Sequence, residues 1–421
     1  MSDVSERDSK VLWHPYTQHG LGPNFPEVVK GSGANLTLST GQQILDAISS
    51  WWVNLHGHCH PKIVQAVQKQ VEKLEHVIFA GFTHEPAVTL AEMLLNATKL
   101  RGAKLAKVFY SDNGSTSVET ALKMAYQYQQ NIGQSHRKNF LALKGSYHGD
   151  TLGAMAVSDP EGFHTKFKEL LPLVDFVEAD DLEGFKKQIE LHGKDYCALI
   201  VEPLIQGASG MRIYSAKFLT EIVLLCKQNG VLVVFDEVFT GFYRTGVCFA
   251  FEHAKVFPDL LCLSKGLTGG FLPLAATLCT EDIYDSFVSE NVKDAFLHGH
   301  SYTANPLSCA AAIVSWELLQ KDECQERIKQ ICNLTRKNIL NLSSHPKVSN
   351  ARCLGTIGAI DFSSQGNYFS SLSAKVKGKA LEKGVLLRPL GNVLYAVPPY
   401  CVIDQEVEWI YKVMSEILDE L

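Results

Sequence analysis

"DLLCLSKGLTGG", residues 259–270, places Lys265 at the end of an unbroken apolar run, Leu260 to Leu263, with Ser264 before it and Gly269 and Gly270 after it. Four apolar residues in succession, without alternation, fit a strand covered on both faces, as in a parallel sheet. An ammonium at the end of such a strand meets little water. A desolvated lysine loses basicity and becomes a usable nucleophile and base. The small residues around it leave space for a bulky adduct. Taken alone, the pattern also suits a lysine that ends a strand and snorkels to solvent.

The same arrangement recurs along the chain. Apolar runs at Val108–Tyr110, Phe140–Leu143, Ala198–Val201 and Val231–Phe235 join Leu260–Leu263 as expected strands. Helix-like stretches such as Glu183–Leu191 and Lys217–Gln228 lie between runs. Alternation of this kind predicts an α/β fold with a doubly wound, mostly parallel sheet. Each run is followed at once by residues with chemistry: Ser111 to Thr116, then Gly145 to Asp150, Glu202 to Gln206, Asp236-Glu237, and Ser264-Lys265. Ligands of open α/β sheets bind outside the carboxyl ends of the strands, where all five groups fall. Residues 1–35 read as an irregular arm rich in Pro, Gly and aromatics. Later segments, with short strands at Val385–Leu387 and Val393–Ala396, suggest a smaller α+β domain. The expected division is 1–55 for the arm and part of the small domain, 56–304 for the large domain, and 305–421 for the C-terminal small domain.

Bulk properties exclude several classes. A net charge of −6 offers no electrostatic case for a nucleic-acid partner or an anionic membrane. The N-terminus MSDVSERDSK lacks an apolar signal region, and no apolar run approaches the ~18 residues of a membrane span. Eleven scattered cysteines without a CxxC pair point to reduced thiols in the cytoplasm, with no zinc site and no other metal.

Four features carry the chemistry. Asp236 follows "VLVVF" and is partly desolvated, so it needs a cation or a strong donor. An arginine or lysine partner would satisfy it, and so would a protonated ring nitrogen. In "SDNGSTSVETALKMAYQ", residues 111–127, Val118, Ala121, Leu122 and Ala125 recur with helical spacing. Gly114 and Ser115 therefore open a helix, whose free N–H groups suit a phosphate. The alternative is a well-capped helix with Asp112, Asn113 or Ser115 as cap. Tyr147, between glycines after a strand, suits either the face of a planar ligand or interior packing. Together with Lys265 these are the parts of a pyridoxal phosphate site, with Lys265 holding the cofactor as a Schiff base.

"VLVVFDEVFTGFYRTG" (231–246), followed by "DLLCLSKGLTGGFLPLAAT" (259–277), resembles the signature of the class III, or omega, aminotransferases of fold type I. "SDNGSTSVETALKMA", "GSYHGDTLGAM", "EPLIQGASGM" and "HGHSYTANPLSCAAA" match the family in order, and the resemblance runs from about Trp13 to about Tyr400. "LWHPYTQ" (12–18), "DAISSWWVNLHGHCHP" (46–61) and "RPLGNVLYAVPPY" (388–400) resemble the branch that converts 8-amino-7-oxononanoate to 7,8-diaminononanoate in biotin synthesis, with S-adenosyl-L-methionine as the expected donor and lysine as an alternative.

The resemblance implies roles. Lys265 is the Schiff-base lysine and proton shuttle of a ping-pong transamination, and Asp236 holds the pyridine nitrogen. Gly114 and Ser115 bind the phosphate, and Tyr147 stacks on the ring. His300 and Ser301 reach the phosphate from the neighbouring subunit, which makes a homodimer necessary. Tyr16, Trp51, Trp52, Gly299, Arg388 and Tyr395 form the substrate pocket, with Arg388 gripping the substrate carboxylate bidentately. Arg244 and Asp150 give support or contact the donor. Three positions depart from the family: Ser301 replaces a usual threonine and keeps its hydroxyl, while Phe239 and Tyr243 replace smaller residues and are expected to narrow the pocket or reseat the donor. The rivals are an aminotransferase for another omega-amine such as ornithine or 4-aminobutyrate, an aminomutase of the same fold, and a non-catalytic cofactor-binding module.

Overall fold

A computed structural model describes residues 3–23, 25–159, 164–362 and 371–421. Seven strands form the central sheet: β1 (Leu105–Ser111), β2 (Asn139–Leu143), β3 (Asp175–Val177), β4 (Tyr196–Val201), β5 (Leu232–Asp236), β6 (Leu260–Leu263) and β7 (Ala275–Thr280). Their order is β1-β7-β6-β5-β4-β2-β3. All are parallel except β7, which runs antiparallel to both β6 and β1. Every residue of β4 and β6 is buried, which is why these strands are written as continuous apolar runs. Helices Gly114–Asn131, Leu182–His192 and Ala216–Gln228 supply the alternation, and Val118, Ala121, Leu122 and Ala125 all face the core.

The five expected strands are present, each within a few residues of its expected bounds. β3 and β7 are additional. The sequence of β7, AATLCT, is small and weakly apolar, and β3 has only three residues, so neither stands out as an apolar run.

The arm is not irregular throughout. Asp3–Val11 is a helix and Val28–Ser32 a strand, while residues 1, 2 and 24 lie outside the described residues. The helix shows no apolar stripe. Acidic residues in its first turn, Lys10 in its last, and the i,i+4 pairs Arg7–Asp3 and Lys10–Glu6 support it instead.

Besides a short two-stranded sheet of Ile205–Gln206 and Arg212–Ile213, the described residues form two further sheets. Val28–Ser32, Asn35–Leu38 and Gln43–Asp46 form an antiparallel meander, and Val385–Leu386 adds in parallel to the Gln43–Asp46 edge. That pairing sets the segment after residue 46 beside the segment after residue 386. Val348–Leu354, Ile357–Phe362 and Val393–Ala396 form the third sheet, packed by helix Asp322–Leu342, which in turn contacts Asp404–Glu420. Helix Pro306–Leu319, capped by Asn305, packs on Pro61–Val71 and Glu85–Lys99. No described helix is long and apolar enough to cross a membrane.

Candidate active site

The carboxyl edge of the sheet holds a cavity of about 210 Å³. It is lined by Trp52, Asn113, Gly114, Ser115, Tyr147, His148, Gly149, Glu202, Asp236, Val238, Phe239 and Lys265. Six of the expected residues thus meet in one space: Trp52, Gly114, Ser115, Tyr147, Asp236 and Lys265.

Lys265 leaves β6 with φ +45°, a left-handed conformation that turns its side chain into the cavity. Gly269 and Gly270 both have positive φ, and a Cβ on Gly270 would lie 3.0 Å from Asn54 N and Val53 C. The glycines of the opening stretch therefore serve the turn that returns the chain to β7, against the backbone of 53–54. The Lys265 ammonium lies 4.5 Å from the Trp52 ring centre and 5.5 Å from that of Phe239. Burial lowers its pKa to about 8, while Asp236 and Glu202 oppose the shift and Arg244 adds to it.

Asp236 ends β5, one residue beyond the Phe235–Val201 register pair. Its Oδ2 accepts a hydrogen bond from His148 Nδ1 at 2.7 Å, and its Oδ1 accepts one from Val238 N at 3.1 Å. The partner of this buried carboxylate is thus a histidine, not an arginine or lysine. Asp236 also lines the cavity. Glu202, next along the edge, accepts from Tyr147 N at 3.0 Å and Gly207 N at 2.9 Å, and burial raises its pKa to about 7.

Asn113 is the cap of the 114–131 helix. Its side chain accepts from Thr116 N, and Thr116 Oγ1 accepts from Asn113 N, both at 3.1 Å. The cap leaves the N–H groups of Gly114 and Ser115 in the unpaired first turn of the helix, and both residues line the cavity. A Cβ on Gly114 would lie 2.7 Å from Val238 Cγ1, so the residue there has to be glycine. A positive helix end, a buried carboxylate, a free amine and aromatic walls around one space fit a phosphorylated pyridine aldehyde, the chemistry of pyridoxal phosphate.

The family described as "Aminotransferase class-III" matches residues 16–418. The chain belongs to the class III aminotransferases. It is 47% identical to the adenosylmethionine-8-amino-7-oxononanoate aminotransferase of Synechococcus elongatus, over 97% of this chain and 99% of the relative. The enzyme of the same name from Helicobacter pylori is 41% identical, over 100% and 98%. Among solved structures, the adenosylmethionine-8-amino-7-oxononanoate aminotransferase of Methanocaldococcus jannaschii superposes with a TM-score of 0.94 at 36% identity, covering 99% of this chain and 98% of that one. An amine transaminase from an uncultivated Pseudomonas species gives 0.92 at 27% identity, covering 97% and 98%. The fold is that of the fold type I transferases.

The other expected residues of this class III aminotransferase fall into two groups. Tyr16, Trp51 and Arg388 form a cluster linked to Tyr147. The Arg388 guanidinium carbon lies 3.8 Å from the Trp51 ring centre and 5.9 Å from that of Tyr16. Tyr16 Oη meets Tyr147 Oη at 3.0 Å and donates to Asp150 Oδ2 at 2.5 Å. Tyr395 joins from the third sheet, where its Oη accepts from Trp52 Nε1 at 3.1 Å. Gly299, His300 and Ser301 do not reach the Lys265 cavity within one chain. They line a separate depression of about 460 Å³ with Ile78, Phe79, Ala80, Phe109, His298 and Thr303.

Phe239 does line the cavity, against Trp52 at 4.5 Å between ring centres. Tyr243 does not narrow the pocket. It is buried elsewhere, with its hydroxyl accepting from Arg101 Nη2 at 3.2 Å. Arg244 is fully buried and donates to the carbonyls of Pro398, Trp52 and Asn54, so it braces the backbone behind the cavity. His148, Glu202, Asn113 and Val238 are site residues to which the sequence assigned no role at the site. For Glu202 the available signal is its position directly after a strand, and for His148 only its place beside Gly149.

Proposed function

We propose that this chain transfers an amino group from S-adenosyl-L-methionine to 8-amino-7-oxononanoate, giving 7,8-diaminononanoate for biotin synthesis, with pyridoxal phosphate as cofactor. The observation that carries the substrate is Arg388. Its guanidinium carbon lies 3.8 Å from the Trp51 ring centre, and among the described residues it makes no ion pair with a carboxylate. A planar fork at the outer end of an aromatic wall suits the terminal carboxylate of an unbranched chain whose ketone has to reach Lys265. The relatives named above carry the enzyme name that this reading predicts.

When bound, the cofactor supplies a carbonyl that exchanges amino groups and a ring that accepts electrons from the reacting carbon. Lys265 is its attachment point. Its free amine would serve as general base and acid, with a depressed pKa that suits proton transfer near neutrality. Asp236, oriented by His148, keeps a proton on the ring nitrogen. The N–H groups of Gly114 and Ser115 receive the phosphate. Trp52 and Phe239, packed on each other, exclude water from one side of Lys265. The enzyme works as a cytoplasmic homodimer, in which His300 of the partner subunit and Ser301 of the partner subunit complete the phosphate site.

The test is a visible absorbance titration of the purified holoenzyme. Adenosylmethionine should bleach the cofactor band and 8-amino-7-oxononanoate should restore it, with no turnover in Lys265→Ala. Bleaching by lysine instead changes the donor. Bleaching only by an unrelated omega-amine, or substantial activity in Lys265→Ala, overturns the reading.

A further inference from the structure

The two tryptophans are adjacent in sequence yet serve different places. Trp52 is buried beside Lys265, whereas Trp51 is 38% exposed beneath Arg388. An unusual backbone separates them. Ser49, Ser50 and Trp52 all have positive φ, at 52°, 60° and 66°. Ser50, with ψ −71°, occupies the geometry of the rare strained γ-turn, and Trp51 returns to φ −143°. None of these residues is glycine, so the surrounding structure has to enforce the conformation.

Asp46 is that enforcement. It is completely buried at the end of strand Gln43–Asp46. Its Oδ2 accepts from Ser50 N at 2.6 Å, Ser50 Oγ at 2.9 Å and His58 Nε2 at 3.0 Å, and its Oδ1 accepts from Ile48 N at 3.3 Å. The far end of the segment is held separately, by Ser49 Oγ on Val397 O and by Arg244 on the carbonyls of Trp52 and Asn54. Asp46 does not line the cavity.

We propose that Asp46 is a positioning residue for substrate selection: by holding Ser50 in its strained turn it places Trp51 under Arg388 and Trp52 against Lys265. The inference rests on the reading that Trp51 and Arg388 receive the carboxylate end of the oxo-acid. Asparagine at 46 keeps the shape but offers one acceptor oxygen where two are used, so the turn relaxes and the wall shifts.

The experiment compares wild type with Asp46→Asn. In steady state the KM for 8-amino-7-oxononanoate should rise roughly 10- to 100-fold, the range for losing charge-assisted hydrogen bonds, while kcat and pyridoxal phosphate affinity change less than about threefold. In the cofactor-free chain, the near-ultraviolet circular dichroism of the tryptophans should change. Should Asp46→Asn fail to fold, His58→Ala removes one donor and should show the same KM split at smaller size. A rise in KM matched by comparable losses of kcat and cofactor affinity, with an unchanged tryptophan signal, marks a merely structural carboxylate and overturns the proposal, as does no change at all. If wild type does not turn over the oxo-acid, the substrate reading fails, and the tryptophan signal still decides whether Asp46 holds the wall.

Discussion

The pKa of Lys265 makes the most demanding prediction. An ordinary lysine titrates near 10.5, and burial brings this one to about 8. At pH 7 the neutral fraction is then about 9%, against about 0.03% for an ordinary lysine, a gain of roughly 300-fold in reactive amine. Only the neutral amine attacks a carbonyl. The rate at which the cofactor-free chain captures pyridoxal phosphate should therefore rise with pH and level off above about 8, whereas a free lysine side chain measured in parallel keeps rising to about 10.5. The sign of the carboxylate effect is fixed as well. Asp236 and Glu202 both raise the lysine pKa towards its usual value. Glu202, titrating near 7, is mostly ionised at pH 8. Removing its charge in Glu202→Gln should move the capture midpoint below 8, not above it. Stopped-flow absorbance across pH 6–10 reads both values. A wild-type midpoint near 10.5, or an upward move in Glu202→Gln, would refute the account of Lys265 as a desolvated amine balanced by two carboxylates.

Two further outcomes follow from single contacts. Gly270→Ala forces a side chain into φ +84° and 3.0 Å from Asn54 N, so a loss of about 1–3 kcal/mol in chemical denaturation is expected, together with weaker cofactor retention. Phe239→Ala removes the ring that packs on Trp52 beside Lys265, and kcat/KM for amines with a bulky group beside the amino carbon should rise roughly tenfold or more, measured against the wild-type holoenzyme.

The parts of the fold that could be read in the sequence were those that burial makes legible. A strand buried on both faces must be apolar throughout, so β4 and β6 stand out, and the residue after each strand lies at the ligand edge by topology alone. Lys265, Asp236 and Gly114 could be placed on that basis. β7 escaped because its residues, two alanines, two threonines, a cysteine and the single leucine Leu278, make no continuous run of large apolar side chains. His148 was visible only as a residue near a glycine. That it meets Asp236 depends on the β2 and β5 edges lying on either side of β4, and spacing along the chain does not encode that distance. Gly299, His300 and Ser301 could be recognised as a motif, but their depression is apart from the cavity in a single chain.

The tryptophan pair shows a different limit. Side-by-side aromatics read naturally as one continuous wall, because neighbouring residues in ordinary backbone share an environment. Here a γ-turn at Ser50 sends one ring to Lys265 and the other to Arg388. Sequence rules find positive φ through glycine, and residues 47–55 contain none. The information lies instead in Asp46, a carboxylate with no basic residue nearby in sequence, whose four hydrogen bonds all come from residues 48, 50 and 58. A buried acid satisfied by local donors offsets its own desolvation and the strain it imposes at once. Its effect on specificity therefore passes through backbone shape, and a search for residues that touch the substrate would pass over it.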